Sequence, residues 1–407
     1  MLELKRINKK GIALAILIVA LFTLETVITY QTYAAKYPGI SDFYSRWAGA
    51  RALLIEGRDP YSLEVTSEIQ KVIKIDPERD GIGKGGFAYP LPVIFTFFPL
   101  VYLPFDWTQA IWMTTLQWIA IITVFLLLAI ERWRPSPLGL AGLILGVFAF
   151  YPVTRTFFLG QFTLHVTLFL AGTLWALNQD RDRWAGVCLA ATCIKPQMVI
   201  LLGPWFILWA LVKRRWQFIW GLMLGGGALM IASLALFPRW PVSFLEDVQR
   251  YAQVAGGRNP ISVILDRAWP WSPSRVRYGL QGLLLALMGF AWLRSVRKGS
   301  NAIDFNLAVH WTILVSLLVP FQTGTTNQAM LLIPLIAWLH YALRRWNRWH
   351  VLSVASSIIV GSWWLFVTTI HGDWEDPIMF LPFPILSLFI LLCVEGTLVW
   401  RRRMQNK

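Results

Sequence analysis

Apolar runs of near-bilayer length recur along almost the whole of this 407-residue chain, and no other feature limits its fold as strongly. Ten of them, residues 11–33, 107–130, 137–152, 162–178, 216–237, 275–293, 303–320, 328–343, 351–370 and 378–400, reach or approach the roughly 20 residues that a helix needs to cross a hydrocarbon core. A further apolar stretch, 185–212, is broken by Lys195-Pro196. It reads as two short helices meeting near a membrane face, since proline cannot continue the backbone ladder and a lysine amine is costly in lipid. The segment 89–104 carries four prolines and reads as a re-entrant or interfacial element rather than a straight span. Charged residues make up only 14% of the chain against 56% hydrophobic, too few to clothe a water-facing surface. The fold expected is all-α: a polytopic membrane bundle of about 12 transmembrane helices in a single domain over residues 1–407.

The formal net charge of +15 would point to nucleic acid in a soluble chain. Here the excess lies in short clusters beside the apolar runs, so the positive-inside rule accounts for it and no nucleic-acid partner is expected. Lys5 to Lys10, Arg132 with Arg134, Arg181 with Arg183, Lys213 to Arg215, Arg294 to Lys298, Arg344 to Arg348 and Arg401 to Arg403 then share the cytoplasmic side with both termini. Twelve crossings satisfy every cluster and leave 34–88, 153–161, 195–196, 238–274, 321–327 and 371–377 facing outward. If 89–104 spans and 185–212 is one helix, the count is unchanged but 131–136, 153–161 and 179–184 change sides, which the rule disfavours. Many of the 23 tryptophans sit at the ends of the runs, as interfacial indoles do. Cys188, Cys193 and Cys393 lie inside apolar runs and imply neither a disulfide framework nor a metal site. The first run is too long for a signal-peptide core and has no A-x-A cleavage pattern, so it reads as a retained helix.

Polar residues outside the basic clusters concentrate in the outward segments. In the first, Phe43, Trp47, Ala50 and Leu54 form one apolar face of an amphipathic helix expected to lie on the membrane surface. Ser41 or Asp42 is expected to cap it, with Gly57 ending it and Pro60 beyond. Two readings of Asp42 stand side by side: a helix cap paired with Arg46 one turn on, or a carboxylate general base at the outer face. Asp59, in Asp-Pro-Tyr, is a turn starter by spacing and a substrate-binding candidate by position.

Asp42-Phe43 followed by Trp47, then Leu54-x-x-Gly57-x-Asp59-Pro60-Tyr61, resembles the first-loop motif of glycosyltransferase family 87. Tyr89-Pro90-Leu91-Pro92, Gly160-Gln161 and Ala185-Gly186 with Lys195-Pro196 resemble later elements of that family, in order, over roughly residues 40–215. A glycine expected near Ala190 is absent, and an aromatic-plus-His motif of some members corresponds here to Thr325-Thr326-Asn327-Gln328, without histidine. The resemblance implies a GT-C fold with a family-like catalytic half over 1–215, C-terminal helices over 216–407, and second-wall loop 238–274. It implies a polyprenyl-phosphate-sugar donor and an acceptor that is a glycolipid or polysaccharide. It also implies inverting transfer of a mannose-like or pentose-like sugar at the outer face of the cytoplasmic membrane, with Asp42 as the base.

A phosphate leaving group is already a stable anion and calls for cations or N–H donors more than for a general acid. Lys195 is the first candidate and Arg155 the second; Arg258 and Arg267 are weaker. Tyr89, Gln161, Asn327 and Gln328 are candidates for binding substrate hydroxyls. No cofactor is expected, and a divalent metal is neither required nor excluded by these residues. His371, Asp373, Glu375 and Asp376 read as a solvated acidic turn rather than a metal centre, and Gly81 to Gly86 as a flexible lid that lacks the P-loop pattern. His165 and His310 lie within helices, where a packed imidazole is the default. The alternatives are a flippase for a lipid-linked sugar, which calls for polar residues at several helix centres, and a scaffold that has no need of Asp42.

Overall fold

A computed structural model of the protein describes residues 9–39, 41–254, 260–319, 324–372 and 375–405. The described chain is helical throughout, with no strand. Helix α1 (Lys9–Thr29) continues through a π-helical turn to Ala34 and delivers the chain to the first loop, which holds α2 (Phe43–Leu54), α3 (Leu63–Val72) and the short α4 (Pro77–Asp80). Then follow α5 (Phe105–Ile130), α6 (Pro137–Ala149), α7 (Tyr151–Leu159), α8 (Thr163–Asn178), α9 (Asp182–Ala191), α10 (Leu202–Val212) and α11 (Trp216–Leu236). A second loop carries α12 (Trp240–Val254) and α13 (Pro260–Ala268). The chain finishes with α14 (Ser274–Val296), α15 (Ala302–Leu318), α16 (Leu332–Arg345), α17 (Arg348–Thr369) and α18 (Pro382–Gln405).

Six described segments are long and apolar enough to cross a membrane: Gly11–Ala34, Phe105–Ile130, Trp216–Leu236, Ser274–Val296, Arg348–Thr369 and Pro377–Val394. A seventh is gained if α6 and α7, which meet at 62°, are one broken span. The bend falls where Pro152 withholds the N–H that would carry α6 onward. This is fewer than the twelve expected, because α8, α10 and α15 are apolar but shorter than a bilayer core. α15 is buried along most of its length, so protein rather than lipid surrounds it. α1, α11, α14 and α17 instead turn bare leucine, isoleucine, valine and tryptophan outward, as only a lipid-facing surface tolerates.

Two further expectations about helices meet the structure. The 185–212 stretch is split: α9 and α10 are separated by two 3-10 turns, Thr192–Ile194 and Pro196–Met198, with Lys195 between them. Over 89–104 no α-helix forms, and the prolines yield 3-10 turns at Leu91–Thr96 and Phe98–Tyr102. The tightest helix pair is α9 with α11, where backbones touch: a Cβ on Gly221 would lie 1.9 Å from the Arg183 carbonyl oxygen, and one on Gly186 2.1 Å from that of Phe218.

The apolar face of α2 turns to protein. Phe43, Trp47 and Ala50 are buried in protein, with Phe43 stacked on Trp112 at 4.6 Å and Trp47 packed on Phe105. The opposite side is closed as well, by α3 and by Phe87, whose ring leaves no room for a Cβ on Gly49. Small residues at Ser45, Gly49 and Ala52 make α2 packable all round, so it is a core element of the first loop.

The turns fall at two ends. At one, Lys213 donates to the Arg297 carbonyl, Arg215 pairs with Asp182, and His340 approaches Glu131. At the other, Asp59 meets Ser243, Arg267 meets Asp376, and Gln161 meets Asp42.

Candidate functional site

Gly160 organises the site. It ends α7 with a left-handed φ of +66°, and Phe43 lies so close that a Cβ there would come within 2.5 Å of the Phe43 Cβ. The Gly160 carbonyl accepts from Trp112 Nε1 at 2.9 Å, and Phe43 is stacked on the same indole. The first residue of α2 is thereby wedged against the residue before Gln161. That brings Asp42, just ahead of Phe43, onto the Gln161 amide.

Gln161 Nε2 donates to Asp42 Oδ2 at 2.6 Å, and Gln161 Oε1 accepts from Lys195 Nζ at 2.9 Å and from the Tyr89 hydroxyl at 2.8 Å. The amide orientation follows from chemistry, because a lysine only donates and a carboxylate only accepts. Four sequence candidates, Asp42, Tyr89, Gln161 and Lys195, therefore form one hydrogen-bonded group. Asp42 caps nothing: neither its side chain nor that of Ser41 closes the start of α2. The expected pairing with Arg46 also differs, since Arg46 Nη1 donates to the Asp42 backbone carbonyl at 2.8 Å and its guanidinium lies 4.6 Å over the Tyr89 ring. The Asp42 carboxylate is exposed and, among the described residues, hydrogen-bonded only by the amide.

Lys195 is held by the break it causes. Pro196 keeps Lys195 out of the right-handed helical region, and its backbone sits at φ −142°, ψ 73°. The side chain is 4% exposed and the group lies outside the spans. Burial, and then the charge of Arg46, push its amine down to about 7, against the opposing pull of Asp42.

The second loop supplies a wall. α12 docks on the first loop through Ser243 Oγ to Asp59 Oδ2 at 2.9 Å, Arg250 to the Tyr61 carbonyl at 2.6 Å, and the buried Asp247, which accepts the Ala88 N–H at 3.0 Å. Ala88 takes a left-handed φ of 48° to present that N–H, and Tyr89 follows it. Tyr251, half-buried on α12, feels both the Arg46 and Asp42 charges, and burial raises its hydroxyl pKa. From the sequence, Arg46 is given only as a partner of Asp42, and Tyr251 and Asp247 are missed. Arg46 stands one turn from Asp42 and is readable in hindsight from that spacing, whereas nothing local marks the two on α12.

The remaining candidates lie elsewhere. Asp59 has one carboxylate oxygen on the Tyr61 N–H and the other on Ser243, so it builds the turn and its docking. Arg155 faces Glu375 at 3.9 Å, and Glu375 accepts from Tyr151 and from Thr325, both at 2.8 Å. Burial raises the Glu375 pKa. Asn327 and Gln328 are buried in a 3-10 helix, Thr325–Leu331, with Gln328 Nε2 on the Phe380 carbonyl at 3.0 Å. Among the described residues no hydrogen bond or ion pair joins these three to the Asp42 group. Arg267 is paired with Asp376, which also caps the turn at Pro377; Arg258 and Asp373 lie outside the described residues. The glycine-rich 81–86 is no loose lid, since Gln70 Nε2 donates to the carbonyls of Gly81, Ile82 and Lys84 and Gly83 abuts the Arg250 backbone.

In chemical terms the group sets an exposed proton acceptor beside two cations, one buried and one half-buried, under tyrosine hydroxyls. A model of glycosyltransferase family 87 matches residues 87–320, more than half of the chain. The matched span contains Tyr89, Gln161, Lys195 and α12, and begins after Asp42 and Asp59. It also extends beyond the 40–215 over which the motifs were read. No curated protein and no solved structure matches.

Proposed function

The chain belongs to glycosyltransferase family 87, and on that premise we propose that it moves a sugar from a polyprenyl-phosphate donor to a hydroxyl of a glycolipid or polysaccharide acceptor, with Asp42 as general base. The observation that carries this reading is the Asp42–Gln161–Lys195 chain, in which one amide holds an exposed carboxylate and a buried cation at a fixed separation. Asp42 takes the proton of the acceptor hydroxyl as that oxygen bonds to the anomeric carbon. The bond from that carbon to the donor phosphate breaks, and its electron pair stays on the phosphate. Lys195 and Arg46 offset the charge that appears there, and attack opposite the leaving group inverts the centre. Tyr89 and Tyr251 offer hydroxyls to the sugar.

The same reading takes the site to the outer face of the cytoplasmic membrane, with both termini inside and a GT-C bundle of twelve passes. In it the six long spans are joined by the bent α6–α7 pair and by α8, α9, α10, α15 and α16, which cross as shielded elements too short to face lipid on their own. The flippase alternative draws little support from the intramembrane polar groups. Glu25 bonds the Trp118 indole, His165 stacks on Trp112, and His310 meets Trp338 edge-on, on three separate helices rather than along one path.

The test is transfer by the purified protein in nanodiscs, with labelled polyprenyl-phosphate hexoses and pentoses as donors and membrane lipid extract as acceptor. Asp42→Asn should lower the rate by about 100- to 10,000-fold while the protein remains folded. Equal rates in wild type and variant would remove Asp42 from the role of base.

A further inference from the structure

We propose that the cavity at the end of the bundle opposite Asp42 binds an anionic phospholipid whose headgroup carries two phosphates. The cavity is an open one of about 380 Å³ between the ends of α5 and α16, and is lined by Arg132, Trp133, Arg134, His340, Leu343 and Arg344. Its place follows from α5, which starts at Phe105 beside Tyr44 and Trp47 of the first loop. The helix runs 26 residues, about 39 Å at 1.5 Å per residue, before reaching Ile130. The cavity thus lies where the headgroups of the far leaflet stand.

The walls are built rather than incidental. Arg132 adopts a left-handed φ of 50°, which reverses the chain after α5. The reversal lays the Trp133 indole flat on His340, with ring centroids 5.0 Å apart and planes 6° from parallel. Arg132, Arg134 and Arg344 line the same space as that stacked pair. Glu131 could neutralise an arginine here, but it is turned to His340 Nδ1 at 3.9 Å.

Several basic side chains at this end are already engaged by other groups. Arg215 pairs with Asp180 and Asp182, Arg294 with Asp304, and Lys213 caps carbonyl and hydroxyl oxygens of the 297–300 turn. Arg132, Arg134 and Arg344 have no ion-pair partner among the described residues, and all three line one space. Three guanidiniums exceed what a single phosphodiester neutralises and suit two phosphates on one headgroup. Trp133 and Leu343 supply apolar wall for the glycerol and the first acyl carbons. A basic pocket of this kind between membrane helices is the arrangement that anionic headgroups occupy.

The full-length protein in mild detergent, titrated with cardiolipin and followed by native mass spectrometry, tests the assignment. Phosphatidylglycerol, phosphatidylcholine and inorganic pyrophosphate are run as separate arms. The double variant Arg132→Gln with Arg344→Gln should retain cardiolipin about 30-fold more weakly than wild type. A control double, Arg345→Gln with Arg348→Gln, changes basic residues outside the cavity and should stay within about threefold. Phosphatidylglycerol should bind more weakly than cardiolipin, and phosphatidylcholine should not compete. Unchanged binding in the cavity variant, or equal loss in both doubles, would overturn the proposal in favour of a diffuse basic surface. Displacement of cardiolipin by an equal concentration of pyrophosphate would overturn the lipid assignment and leave a site for free polyphosphate.

Discussion

The Gln161 amide donates to Asp42 across 2.6 Å, joining residues 119 positions apart in the chain. The same amide accepts from Lys195, so it sets the distance between the carboxylate and the cation. Gln161→Leu keeps the side-chain volume and removes both links, together with the one to the Tyr89 hydroxyl. The turnover rate in the nanodisc assay should fall about 10- to 100-fold, with Asp42 and Lys195 still present. The melting temperature should fall as well, because the buried Lys195 amine and Tyr89 hydroxyl lose their acceptor, at a cost of about 1–3 kcal/mol. An unchanged turnover would show that the amide positions nothing the reaction uses.

The proposed role of Lys195 at the donor phosphate predicts a reaction sensitive to pH. Its amine, lowered from 10.5 to about 7, is cationic below that value and neutral above it. Attraction for the donor phosphate is therefore lost as pH rises through about 7, and kcat/KM for the donor should decline above it. Lys195→Arg keeps the charge at all these values and should abolish the decline. The sign for stability is opposite. The unfolded lysine holds its proton up to its ordinary pKa near 10.4, so between about 7 and that value the unfolded state binds more protons and the fold gains stability as pH rises.

α9 and α11 approach as closely as their backbones allow. Gly221→Ala would push a methyl into the Arg183 carbonyl and should destabilise the protein by about 2–3 kcal/mol, read as a lowered melting temperature in detergent. Gly226→Ala, on the same helix with nothing within 4 Å of its Cβ, should be neutral or stabilising by up to about 1 kcal/mol. Equal effects at both positions would show that helix propensity, not contact, governs the pair.

Asp247 is the pin of the second wall. Asp247→Ala leaves the Ala88 N–H without its acceptor and Arg250 without its carboxylate, at a cost of about 1–3 kcal/mol. The loss should appear first as faster proteolysis within 81–88, where the first loop loses its clamp. Transfer should fall along with it, because Tyr89 follows Ala88 directly. A variant as protease-resistant as wild type would place the clamp elsewhere, with Asp59–Ser243 the next contact to cut.

Legibility differed from element to element. The α9–α10 break was readable because Lys195-Pro196 forbids a continuous helix by local sterics alone. The extent of α2 was readable from its apolar spacing and from Gly57, yet its surroundings were not. An apolar stripe seeks burial but does not say whether lipid or protein provides it, and the small residues on the other side gain meaning only beside Phe87 and α3. The count of spans misled for a related reason. Hydropathy registers apolar length, while a short helix such as α15 is sheltered by neighbours that the linear pattern does not name.

Composition and run length alone determined that this chain is a helical membrane protein, because lipid admits no exposed backbone groups and few charges. The order of its motifs pointed to the family, and the positions of Asp42, Tyr89, Gln161 and Lys195 to a candidate site. Only the tertiary structure decided that these four meet while Arg155 turns to Glu375. Gln161 and Arg155 lie six positions apart, and no local rule sends one toward Asp42 and the other away. The left-handed turn at Gly160, closed against Phe43 and Trp112, directs Gln161 to Asp42, while Arg155 stays on α7 and faces Glu375.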